Sequence, residues 1–97
     1  VSGDVRWLRC PESLGVALWR TLRDLLGQPD SGVGVGASYT SDDHVITEVW
    51  CLDVPILKCE TWYRDVRMDE EGITRRGVGE HAYYLPAREE CDHADHA

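Results

Sequence analysis

Four cysteines (Cys10, Cys51, Cys59, Cys91) and four histidines (His44, His81, His93, His96) are the side chains of this sequence best suited to hold a metal or move a proton. No two cysteines are separated by two residues, which excludes the spacing of a zinc ribbon or a thioredoxin-type pair. The terminal run Cys91-Asp92-His93-Ala94-Asp95-His96 offers one thiolate and two imidazoles, a donor set for a divalent metal. No rigid element is predicted around it, so ordering entropy opposes coordination. Cys91, His93 and His96 are therefore weak candidate ligands, and a solvated tail is the plainer reading. Cys51 and Cys59 flank Pro55 symmetrically. They read as small buried residues, as a cross-strand disulfide in an oxidising compartment, or as part of a four-thiolate site with Cys10 and Cys91.

No nucleophile motif, phosphate loop or dinucleotide fingerprint is present. Gly32-Val33-Gly34-Val35-Gly36 is glycine-rich but lacks the strand-to-helix context and spacing of a phosphate cradle. No catalytic residue and no cofactor is assigned. A small enzyme or ligand-binding domain would place a pocket between helix and sheet, with His44, His81, Tyr83 and Glu60 as its polar groups.

Tryptophan and glutamate are more suggestive. The four Trp are accompanied by no Phe, so they carry much of the aromatic bulk. Alternation within strands puts Trp50 and Trp62 on a face with Glu48, Glu60 and Arg64. Trp anchors interfaces and carboxylates select a basic partner, so these five residues are candidate partner-binding groups. Asp69, Glu70 and Glu71 join them as an acidic cluster. The alternative is that the same face lies under the helix, with its charges at the rim.

The elements that position these residues follow from periodicity and turn chemistry. Pro11 to Leu26 reads as a helix, with Pro11 at its start, Gly27 as its cap and Leu14, Leu18, Leu22 and Leu25 along one stripe. Val5 to Arg9 precedes it as an edge strand or lead-in. Val33 to Tyr39 reads as a strand in which Gly34 and Gly36 leave one face bare, suited to packing against Trp19. Val45 to Leu52 and Ile56 to Arg67 form a hairpin about Pro55, pairing Cys51 with Cys59, Trp50 with Glu60 and Glu48 with Trp62. Asp69 to Gly72 is a second turn. Ile73 to Arg76 returns, Gly77-Val78-Gly79 interrupts, and His81 to Leu85 is a last short strand. The predicted fold is α+β, one N-terminal amphipathic helix on an antiparallel meander of four to five strands. Residues 1–88 form one domain and 89–97 an acidic polar tail.

Composition narrows the function classes. The chain of 97 residues carries a formal net charge of −8. Residues 1–29 hold four Arg and three acids, whereas residues 30–97 hold six bases and fifteen acids. Such a surface repels phosphate backbones and attracts basic proteins, although solubility alone also accounts for it. No apolar run is long enough to cross a membrane as a helix, and no signal peptide is visible, so a cytoplasmic location is expected. Rich use of Arg, Gly and Asp with a single Lys suits the codons of a high-GC bacterium or phage. The leading expectation is a non-enzymatic protein-binding module that sequesters or inhibits a basic partner, of immunity or host-defence-inhibitor type. The pocketed domain above and a Cys/His metal-binding domain are the alternatives. An edge strand of so small a sheet also invites homodimerisation.

Overall fold

A computed structural model describes residues 5–87. It is an α+β fold with one helix and a curled antiparallel sheet of five strands. Strand β1 (Trp7–Cys10) precedes helix α1 (Glu12–Leu26), and β2 (Val33–Thr40), β3 (His44–Cys51), β4 (Val54–Asp69) and β5 (Gly72–Pro86) follow. The spatial order is β1-β5-β4-β3-β2. The last four strands are thus a meander, and β1 closes it on the far side of β5.

Pro11 is the residue before the first helical turn, with an extended backbone, and Glu12 places a carboxylate near the helix's positive end. Of the predicted stripe, Leu22 is buried and Leu18 and Leu25 pack with Val16 and Trp19 onto the sheet. Leu14 is instead 43% exposed. Gly15 takes the buried place beside it, because there the helix comes directly onto Tyr83. The core is Leu22, Val49, Leu57 and Tyr83, and both Val49 and Leu57 are fully excluded from solvent. The centre of the helix–sheet interface is therefore filled with side chains, where a pocket was the alternative expectation.

Three sequence readings of the sheet are corrected. The β3–β4 turn is Leu52-Asp53, and Pro55 lies within β4 opposite Trp50, at a register shift. That is a tolerated position for a residue without an N–H. The turn is held there by β2, since the Leu52 N–H donates to the Gly32 carbonyl at 2.9 Å. Cys51 therefore pairs with Val54 and Cys59 with Thr47. Four residues of strand, about 13 Å, separate the two thiols along the sheet, too far for a disulfide. Cys10, Cys51 and Cys59 are all free. The interruption expected at Gly77-Val78-Gly79 is a bulge within one continuous strand, as the register passes from Trp62↔Glu80 to Tyr63↔Val78. Finally, Gly34 and Gly36 do not receive Trp19. A Cβ at either position would meet nothing within 4 Å.

Irregularities between Ala37 and Tyr39, at Trp50 and at Trp62 bend the sheet. Past Trp62, strands β4 and β5 leave β3 behind and run on as a two-stranded arm, which accounts for extents of 58 × 29 × 25 Å. Arg75 braces its base, donating to the carbonyls of Ser41 and Asp42, both at 2.9 Å. No helix among the described residues is long and apolar enough to cross a membrane.

Candidate functional site

Because Val49 and Leu57 face the helix, strand alternation puts Glu48, Lys58 and Glu60 on the opposite face. Register then adds neighbours: Glu48 pairs with Lys58 and Lys58 with Tyr84, Glu60 pairs with Ile46 and Ala82, and Trp62 pairs with His44 and Glu80. No helix among the described residues covers this face, yet Glu48 is only 5% exposed and Ala82 2%. The bend of the sheet and the large side chains around them provide that burial.

Three contacts organise the face. The Trp50 indole N–H donates to Glu48 Oε1 at 2.9 Å. The Tyr84 hydroxyl donates to Glu60 Oε1 at 2.7 Å, and His44 Nε2 lies 2.8 Å from Glu60 Oε2. An ionised carboxylate only accepts, so Nε2 carries the proton of that bond. The His44 ring stacks on Trp62, with centroids 4.6 Å apart and planes 9° from parallel, and Tyr39 lies tilted to it with centroids 5.4 Å apart. Lys58 makes no ion pair with Glu48. Its ammonium lies over the rings of Tyr84 and Trp7, at 4.8 and 5.7 Å. Glu48 Oε2 has no hydrogen-bond or ion-pair partner among the described residues, and it is not sealed from solvent.

The hydrogen bond to Glu60, reinforced by burial, raises the Tyr84 pKa above its usual value. Tyr84 is thus a neutral donor at ordinary pH and not a phenolate nucleophile. Burial, with Cys10 nearby, pushes the Cys59 thiol up to about 11, so it is a poor nucleophile and a poor metal ligand. Burial likewise raises Tyr83.

The sequence-predicted residues fall in two places. Glu48, Trp50, Glu60 and Trp62 come together on the open face. Arg64 stands at its rim, exposed, with its Cγ 3.2 Å from where a Gly79 Cβ would be. Asp69, Glu70 and Glu71 are exposed at the arm tip, about 23 Å along the strand from Trp62. Between the two, the arm mixes Arg64, Arg67, Arg75 and Arg76 with its acids. The four polar groups proposed for a helix–sheet pocket are split: His44 and Glu60 are on the open face, while His81 bonds Thr61 at 3.1 Å on the helix face with Tyr83. Cys91, His93 and His96 lie outside the described residues, among which no cluster of three His, Cys, Asp or Glu could hold a metal ion.

Sequence reasoning gave no role on this face to Lys58, Tyr84, Trp7 or Tyr39. Their membership depends on β4–β5, β5–β1 and β2–β3 pairings that no local signal specifies. No family model, curated protein or solved structure matches the chain. The site is therefore read from its own chemistry: aromatic rings around two carboxylates, one of them with a free oxygen.

Proposed function

We propose that this chain is a non-enzymatic protein-binding module that sequesters or inhibits a basic partner, in the manner of an immunity protein or host-defence inhibitor. The observation that carries this reading is Glu48. A largely buried carboxylate that keeps one oxygen without a partner among the described residues is placed to accept a charge-assisted hydrogen bond from a cation. Trp50 and Trp62 supply the flat apolar area that anchors a protein contact. The Glu60–His44–Tyr84 bonds hold the rings in fixed positions, which lowers the entropy cost of binding. The acidic arm tip, remote from the face, steers a basic partner at long range.

The test is calorimetric titration of the full chain with purified products of the genes adjacent to its own. A basic product should bind at low salt and more weakly as salt rises. Trp62→Ala should weaken that complex by about thirtyfold, the loss of a hot-spot side chain worth about 2 kcal/mol. Neutralising Asp69, Glu70 and Glu71 together should slow association with little effect on dissociation. If no neighbouring product binds, or binding ignores both Trp62 and salt, the proposal is wrong.

A further inference from the structure

Among the described residues strand β2 is an edge, and none of its own residues is charged or Pro. Natural edges are ordinarily protected by such residues; here only the irregularity between Ala37 and Tyr39 disturbs the row. On the open face β2 is bare where β3 carries its functional groups: Gly34 lies opposite Trp50 and Gly36 opposite Glu48. Side chains there would meet nothing within 4 Å. A strand added beyond β2 would lie about 5 Å from it and about 10 Å from β3. Long side chains from that strand could cross the bare row to Trp50 and to the unpartnered Glu48 Oε2. Only Arg or Lys has both the length and the charge for the carboxylate.

The ends of β2 agree. Exposed Asp30 lies just before it, and exposed Asp42 and Asp43 just after it. In an antiparallel pair of two copies, Asp30 of each would approach Asp42 and Asp43 of the other, and like charges would meet at both ends. The strand also has no basic residue to offer Glu48. A second copy is therefore a poor occupant, and a basic segment a complementary one.

We infer that β2 takes an extended, Arg- or Lys-bearing segment of the partner as a sixth antiparallel strand, whose basic side chain crosses Gly36 to Glu48. This strand addition rests on the proposed function above and specifies how the partner engages.

The probe is an end-blocked octapeptide of alternating arginine and valine, titrated into the full chain, with amide hydrogen exchange followed at residues 33–37. The expected result is binding together with slowed exchange of the outward β2 amides. A version N-methylated at alternate backbone nitrogens should not bind, because it cannot pair with the edge. Gly36→Lys, whose side chain enters open space, and Glu48→Gln should each weaken binding by about tenfold or more. Binding without slowed exchange, or equal binding of the N-methylated peptide, overturns strand addition while leaving the aromatic–carboxylate face as a partner site. Absence of binding at millimolar peptide also overturns it, and the face is then judged by its own titration with partner proteins. Self-association of the chain that Gly36→Lys abolishes would assign the edge to a second copy and overturn the inference.

Discussion

Replacing Gly15 by Ala tests which sheet face the helix covers, and so whether the Trp50–Trp62 face is free. In an exposed helical position this change stabilises by about 1 kcal/mol, because Gly is the poorer helix former. Here the new methyl would overlap Tyr83 Cβ and Cγ and lie 2.7 Å from Cδ1. Carbon atoms at rest are about 3.5–4.0 Å apart, and Tyr83 Cβ sits at the root of the side chain, where no rotamer change removes it. The helix must therefore lift off the sheet, loosening Leu22 from Val49 and Leu57. The upper end of the overpacking range, about 3 kcal/mol, is appropriate. Offset by the propensity gain, the net loss is about 2 kcal/mol, a fall in Tm of roughly 8–16 °C for a domain this size. Urea unfolding monitored by circular dichroism measures it. Ala17→Gly, exposed on the same helix, calibrates the propensity contribution and should cost about 1 kcal/mol. In a Tyr83→Gly background, which removes the Cβ as well as the ring, Gly15→Ala should become neutral or stabilising. If Gly15→Ala stabilises the parent chain, the helix does not sit on Tyr83, and the assignment of the open face fails with it.

Leu52 is the one described non-glycine residue with positive φ, at 55°, so Leu52→Gly should raise stability by about 0.5–1 kcal/mol in the same urea assay, relief of left-handed strain exceeding the entropy cost of Gly. Arg75→Ala removes two hydrogen bonds to backbone carbonyls at the arm base; amides of the arm past Trp62 should exchange faster while those opposite Val49 stay unchanged, and uniform acceleration would refute a local brace. Cys59 contributes to alkaline instability: its folded pKa of about 11 exceeds the ordinary 9.0, so the unfolded chain loses that proton first and stability should fall as pH rises through 9 to 11. Cys59→Ala should flatten that part of the pH profile, and an unchanged slope would place its cause elsewhere. At pH 8, Cys59 should also react more slowly with a thiol reagent in the native protein than in urea.

Local chemistry was enough to locate the helix, the strands and the Asp69–Gly72 turn, because a 3.6-residue stripe, β-branched runs and turn residues act over a few positions. Alternation was enough to group Glu48 with Trp50, and Glu60, Trp62 and Arg64 with one another. The hairpin register was not legible. Pro55 looked like the turn, but the Gly32 carbonyl, just ahead of β2, holds the turn at Leu52 and Asp53. The resulting slip is four residues: Glu48 meets Lys58 where Trp62 was expected, and Trp62 meets His44. Side chains alternate with a period of two, so an even slip exchanges every partner but preserves both faces. That is why the predicted face remained intact while its predicted pairs did not. Which residues of one strand share a face could be read from the residues alone, since backbone pleating needs no tertiary contact. That Gly15 brings the helix onto Tyr83 on the other side depends on packing between distant elements. The tertiary structure alone gathered Tyr84, Trp7, His44 and Tyr39 around the carboxylates, because these meetings join strands whose pairing depends on the whole sheet.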